Sequence, residues 1–294
     1  MFTKHTFTIL LLLLSIAPFL QAEEFLTSKQ IEDILQINEH SQTEVSSVRN
    51  VLFCWSKPDH PKHVHSYQRF AESYASSLSK VKKIQTMTVE GFPSQKQWKS
   101  ADLVVFNLTQ NNLSKEQFMA IDAHLNKGGS VIVVHQGLVQ RKGYGEWAKR
   151  IGMAFSWEAP PTRSKWGRGV LKINIDNKHD IFQGFPETIR LMDELYWNLE
   201  SGADGRLSIL GKTEAPKRTI VPISEVDSQK WPAFWTVEHS SKEGKSPGRV
   251  FCSVVGHPDE IAFSSSFQIV MMRAFAWCLD EPSTPFLRTI KGSD

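Results

Sequence analysis

Gly128–Leu138 reads GGSVIVVHQGL, and the fold follows from it. Ser130–Val134 (SVIVV) is an apolar run with no polar alternation. Such a run is the pattern of a strand buried on both faces, as in a parallel sheet. The glycine pair before it stops a preceding helix by taking the left-handed conformation that ends helices. His135 follows the run directly, then Gln136 and Gly137. Open α/β sheets hold their ligands just outside the carboxyl ends of the strands. His135 therefore stands where a functional side chain is expected.

Upstream, Val48–Trp55, Lys83–Val89 and Leu103–Leu108 have strand character. Between them, His65–Val81 spaces Tyr67, Phe70, Tyr74, Leu78 and Val81 as one apolar helix face. Ser94–Ser100 predicts a short helix. Ser114 and Gln117 form a capping box for a helix running to Asn126. Downstream, Gly169–Ile175, Ile189–Leu199, Arg206–Lys212, Trp231–Glu238 and Arg249–Val255 read as strands, and Phe267–Leu279 as the last helix. This order predicts an α/β fold, a three-layer α/β/α sandwich on a mostly parallel sheet, with extra strands in the second half.

Met1–Ala22 has a lysine near its start, an apolar centre over Ile9–Leu20 and a small residue at its end. That is the layout of a secretory signal peptide, and the apolar stretch is short for a membrane span. The expectation is an exported protein, periplasmic or secreted, with no membrane association once the leader is removed. Residues 23–47 predict a polar, helical extension, 48–281 one α/β domain, and 282–294 a short tail. No internal repeat or low-complexity segment interrupts this plan.

The formal net charge is +3, one unit of it from Lys4 in the leader. Nucleic-acid binding wants a clustered positive face, and the chain has no basic run. Cys54, Cys252 and Cys278 sit in apolar contexts (LFCW, VFCS, AWCL). An odd number leaves at least one thiol unpaired, and buried free thiols fit those contexts better than a disulfide. No Cys-x-x-Cys occurs, so neither a thiolate zinc site nor a redox pair is indicated. Neither is a nucleotide or flavin site.

Four clusters can carry chemistry. Asp59, His60, His63 and His65 crowd the loop after the first strand, where His63 and His65 would share a face if the loop is extended. A solvated polar loop is the alternative there. His135 is the second cluster, against the alternative of a core histidine bonded to backbone. Asp193 and Glu194, followed by Tyr196, interrupt an apolar strand. Strand alternation lets only one of these carboxylates face a pocket readily, and the other can pair with Arg190 or cap the sheet. His257, in Gly256-His257-Pro258, again lies just past an apolar strand. Asn107 and Trp55 end two more strands, and with Gln136 they are candidates for holding a substrate. Nine tryptophans, among them Trp157, Trp166 and Trp197, add a weak hint of sugar stacking.

Taken in order, PDHPKHVHSYQRF, GGSVIVVHQGL, KHDIFQGFPE, DELYWNL, PAFWTVE, GRVFCSVVGHP and the terminal AWCL resemble the ThuA-like (trehalose utilisation) family, from about Val48 to Leu279. The resemblance implies the flavodoxin-like fold of class I glutamine amidotransferases. It matches His60 and His65 to the family's early histidines, His135 to the histidine after the double glycine, Asp193, Glu194 and Tyr196 to its acidic-tyrosine segment, and His257 to its glycine-histidine pair. Lys62 and His63 depart from it, standing where small residues are common.

The resemblance also implies carbohydrate catabolism through 3-keto sugars made by a partner sugar dehydrogenase. An enzyme acting on 3-keto disaccharides or glycosides, by isomerisation, epimerisation or eliminative cleavage, is the reading it favours. Such chemistry needs a base, an acid and a stabiliser of the enediolate. His135, His257, Glu194, Asp193 and Tyr196 are the catalytic candidates. His60, His65, His135 and His257 are the candidate ligands of a divalent metal, zinc or manganese. Amidotransfer is disfavoured, because His135 stands close to where the cysteine nucleophile would be. The alternative is a non-catalytic sugar-binding or scaffolding module.

Overall fold

The computed structural model describes residues 26–39, 43–109, 112–157, 163–216, 229–240 and 246–290. The expected leader, Met1–Ala22, lies outside the described residues. Among those described, no helix is long and apolar enough to cross a membrane.

The chain forms α1 (Ser28–Glu39), β1 (Arg49–Trp55), α2 (Tyr67–Leu78), β2 (Ile84–Glu90), α3 (Gln95–Ser100), β3 (Leu103–Phe106), α4 (Lys115–Asn126) and β4 (Ser130–Val134). A 3₁₀ turn at His135–Leu138, α5 (Tyr144–Ile151), β5 (Met153–Ala154) and β6 (Lys165–Ile175) follow. The remainder is β7 (Thr188–Trp197), β8 (Glu200–Ser201), β9 (Arg206–Glu214), β10 (Lys230–His239), β11 (Gly248–Ser253), α6 (Asp259–Ala262), α7 (Ser265–Leu279) and α8 (Thr284–Leu287). The capping box expected at Ser114 is present, and a second one opens α3 at Ser94.

Nine strands make one sheet in the order β2-β1-β3-β4-β11-β10-β9-β6-β7. The first five run parallel, and the last four are added antiparallel. The result is a mixed α/β fold whose parallel part has the order known from flavodoxin-like sheets. Every residue of β3 and β4 is buried, as continuous apolar strands require. Helices cover both faces. Phe275 of α7 meets Phe53 of β1 and Tyr74 of α2 on one face. Phe106 of β3 meets Trp98 of α3 and Trp147 of α5 on the other.

Leu26, Ile31 and Ile34 of the N-terminal extension are buried, as are Phe286 and Leu287 of α8. Cys54, Cys252 and Cys278 are free and buried.

The β6–β7 hairpin matters most for the site. β6 pairs with β7 from Lys165↔Trp197 to Asn174↔Thr188, yet it joins β9 only at Asn174 and Ile175. Most of the hairpin therefore leaves the sheet. Its far end turns over the carboxyl ends of the parallel strands, where Asp193 Oδ2 accepts a hydrogen bond of 2.8 Å from Gly256 N.

Candidate functional site

Three imidazoles meet at the carboxyl edge of the parallel strands. His65 comes from the loop after β1, His135 directly follows β4, and His257 lies beyond β11. His65 Nε2 and His135 Nε2 each lie 2.9 Å from His257 Nδ1. All three rings are buried.

The backbone is bent to bring them there. His135 and His65 both take left-handed φ, +45° and +51°. Non-glycine residues rarely do so, and such strain gathers at functional sites. The early loop is laced to the turn after β11: His65 N donates to His257 O, Asp259 N donates to His63 O, and Val64 bridges Pro258. Because His63 is also left-handed, at +69°, the loop is not extended, and His63 and His65 do not share a face. His63 points outward near Asp259, whose carboxylate pairs with Arg69 at 2.7 Å.

Hydrogen bonds on the outer nitrogens fix the tautomers of two rings. His135 Nδ1 lies 2.6 Å from the carbonyl oxygen of Val254, which can only accept, so Nδ1 carries the proton. His65 Nδ1 lies 3.0 Å from Asp59 Oδ1 and donates to that carboxylate. Burial, opposed in part by Asp59, lowers the His65 pKa. Burial, with the neighbouring His257 and His65, holds His135 well below its ordinary value. Burial brings His257 down to about 3. All three rings are therefore neutral near pH 7, and His65 Nε2 and His135 Nε2 are acceptor lone pairs that both face His257 Nδ1. A single proton on His257 Nδ1 can satisfy only one of them, and the Tyr196 hydroxyl, which also donates to Gln136 Oε1, is a second donor within reach of His135 Nε2. Imidazoles whose far N–H is tied to a carboxylate or carbonyl are the usual form of metal-bound histidine. The donor set fits a divalent cation, with the three nitrogens within 4.8 Å of one another. Asp59, His60 and His65 form an adjoining group of the same kind on the more exposed side.

Acids arrive from the hairpin. Asp193 is fully buried and spent on backbone: Oδ1 accepts from Glu194 N and His257 N, and Oδ2 from Gly256 N. It neither pairs with Arg190 nor caps the sheet, the two roles the strand pattern suggested; it fixes the turn that carries His257. Gly256 has φ +122°, a conformation that L side chains rarely adopt. Glu194 Oε1 stands 3.7 Å from His135 Nε2 and 3.9 Å from His257 Nδ1. Burial, aided by the charge of Asp193, raises the Glu194 carboxyl to about 7. Tyr196 shares its face of β7 and sets its hydroxyl 2.9 Å from His135 Nε2 and 3.1 Å from Gln136 Oε1. Strand alternation thus sends Glu194 and Tyr196 to the imidazoles and Asp193 to the turn.

His60 is partly exposed, with Nδ1 2.9 Å from Asp59 Oδ1 and its ring 4.0 Å from that of His65. Asn107 and Trp55 stand at neighbouring strand ends, outside the hydrogen-bonded cluster. Asn107 N donates to Cys54 O, and Trp55 packs half-buried on the core. Tyr67 and Thr109 are not among the candidate site residues, and Asp59 enters the sequence reading only as a member of the early loop cluster. Tyr67 OH reaches His65 Nδ1 at 2.8 Å and Thr109 Oγ1 at 2.9 Å, and Thr109 also donates to Asp59. Burial works to raise the Asp59 carboxyl, but hydrogen bonds from His65, Thr109 and His60 outweigh it and hold the group far below the usual range. Tyr67 reads from sequence as one more apolar position of the α2 face. Only its place beside Asp-His-Pro hints at a polar task.

The family model described as "ThuA: Trehalose utilisation" matches residues 50–278. The chain belongs to the ThuA family. Among solved structures, a ThuA-like protein from Bacteroides uniformis ATCC 8492 is 14% identical, with TM-score 0.56 over 82% of this chain and 97% of that one. Another, from Parabacteroides merdae ATCC 43184, is 18% identical, with TM-score 0.59 over 79% and 90%. At such identities these likenesses speak for the ThuA fold alone. No curated protein sequence matches the chain.

Proposed function

We propose that this ThuA family member is an exported enzyme of carbohydrate catabolism. It acts on 3-keto disaccharides or glycosides supplied by a sugar dehydrogenase. The reaction begins with proton abstraction beside the keto group and ends in isomerisation, epimerisation or eliminative cleavage of the glycosidic bond. The observation that carries this reading is the convergence of three neutral imidazole nitrogens with one carboxylate and one phenol at a strand edge.

His65, His135 and His257 are the ligands of a divalent ion, with His60 at the open side. When bound, such an ion polarises the substrate's carbonyl and an adjacent hydroxyl. Glu194 is the group that takes the proton, being the carboxylate that faces the inner nitrogens of His135 and His257 and is not bound to backbone. Tyr196 holds a proton at its hydroxyl, shared between His135 and Gln136. Asp193 is a positioning residue. Gln136, Asn107 and Trp55 meet the sugar's hydroxyls and ring.

A hydrolytic glycosidase needs two opposed carboxylates, and the commitment of Asp193 to three backbone N–H groups leaves Glu194 without such a partner. Amidotransfer needs an activated thiol. The cysteines near parallel-strand ends, Cys54 and Cys252, are buried, and burial pushes both thiols well up.

The test is metal analysis of untagged protein together with turnover of a 3-keto disaccharide. About one equivalent of zinc or manganese is expected, lost in His135→Ala and His257→Ala along with turnover. Full turnover by His135→Ala would overturn the assignment. Saturable sugar binding without product would favour the non-catalytic module.

A further inference from the structure

The outer face of the β6–β7 hairpin continues the candidate site as an ordered strip. Cross-strand partners share a face, and the register pairs Trp166 with Tyr196, Arg168 with Glu194, Val170 with Met192, and Lys172 with Arg190. From the imidazoles outward the face thus runs from an aromatic pair to an acid–base pair, an apolar pair and a cationic pair. Its inner end, at Tyr196 and Glu194, is covered by the histidine cluster. Its outer end is open, with Val170 49% and Met192 37% exposed.

The strip floors a cavity of about 930 Å³ lined by Arg168, Val170, Lys172, Arg190 and Met192, with Lys230 and Glu214 opposite each other at the far wall. Arg168 joins cavity and site: it lines the first, and its charge is felt at Glu194 and His257 in the second. Among the described residues, Arg168, Lys172 and Lys230 line this cavity with Glu214 as the carboxylate, and Val170 and Met192 lie between Arg168 and Lys172 along the register. A neutral disaccharide has no use for such a row. An acidic one does, because guanidinium forks and ammonium groups bind carboxylates through charge-assisted hydrogen bonds.

We propose that this face is a second substrate subsite that selects an acidic sugar unit. The glycoside would carry a carboxylate on the unit next to the oxidised ring, held by Arg168 with Lys172 while the ring rests on Val170 and Met192. The inference rests on the keto-glycoside reading for what lies at the imidazoles, but the selection itself is a binding property.

The probes are cellobiose and cellobiouronic acid, which differ by one carboxylate, titrated calorimetrically into the full chain. At about 50 mM salt the acid is expected to bind about tenfold more tightly, and at about 500 mM salt the advantage should shrink. Arg168→Gln with Lys172→Gln should abolish the preference, and Arg168→Lys should retain part of it. These side chains are exposed, so the variants should fold. Equal affinity for the two sugars, or binding of neither, overturns the proposal. Turnover of 3-keto-cellobiose is measured alongside. Turnover without acid preference overturns the subsite alone, and acid preference without turnover overturns the catalytic reading alone.

Discussion

The parallel half of the sheet and the β6–β7 hairpin reach the same site by opposite routes. In the parallel half, β1, β4 and β11 run in the same direction, with β3 between the first two, and release their chains at one edge, so His65, His135 and His257 meet because the topology brings their strand ends together. The hairpin lies at the far end of the sheet order. It brings Asp193, Glu194 and Tyr196 to the site only because it detaches from β9 and folds back. One region positions by register, the other by a long-range fold-over that must be fastened. Asp193, tied to Gly256 and His257, is the fastening.

The largest expected effect follows from cutting that tie. Asp193→Ala strands three backbone N–H groups in a fully buried position. Each buried donor left unmade costs about 1–3 kcal/mol, so the global loss should be about 3 kcal/mol or more. Asp193→Asn, which keeps one carbonyl acceptor, should lose less. Urea denaturation measures both. A loss under about 0.5 kcal/mol for the alanine variant, the range of an ordinary surface change, would mean that something other than Asp193 fastens the hairpin.

The same contrast explains what could be read in advance. The continuous apolar runs of β3 and β4, the capping box at Ser114 and the helical spacing of α2 carry their structure locally. The parallel strands were therefore legible, and so were His135 and His257 at their ends. The fold-back was not. Nothing in RLMDELYWNL says that its outer face turns from solvent at Met192 to imidazole at Glu194, because that depends on where the hairpin lands. Asp59 was seen in the sequence, but its grip on His65 needs the left-handed turns at His63 and His65, which are tertiary in origin. Helix α5 carries no such local signal, because it is short and begins at Gly143, a left-handed residue and not a side-chain cap.

Acid should weaken the parallel half through a residue remote from the three imidazoles. His124 of α4 is buried, reaches the Ser130 carbonyl at 3.0 Å, and covers Gly129 so closely that a Cβ there would touch its ring. Burial lowers its pKa to about 4 from 6.5. The unfolded chain takes up a proton in that window and the folded chain does not, so stability falls as pH drops through it. One such group removes about 3 kcal/mol by pH 4. The stability difference between wild type and His124→Gln should therefore change by about that amount between neutral and acid pH. Parallel pH curves for the two proteins would remove His124 from the account.

Gly256→Ala probes the junction from the parallel side. The new Cβ would sit 3.3 Å from both Val134 and Phe267, at a φ of +122°. Strain of this kind costs about 1–3 kcal/mol, somewhat below the loss of Asp193, and should also tilt His257. A variant with unchanged stability and unchanged metal content would show that the turn tolerates an ordinary backbone there.

The smallest effect belongs to Asp59, which acts through a ring and not through the fold. Its carboxylate orients His65 through Nδ1 but is itself part-exposed, so Asp59→Asn should lower the urea midpoint less than any of the changes above. The amide can present its oxygen to His65 Nδ1, yet it cannot supply the charge that makes Nε2 a stronger ligand. Loss of such an outer partner lowers metal affinity by about 10–100-fold. Competition with a chelator, read as metal retained per chain, separates this from unfolding. Unchanged affinity in Asp59→Asn would show that the His65 arm is held by Tyr67 and the laced backbone alone.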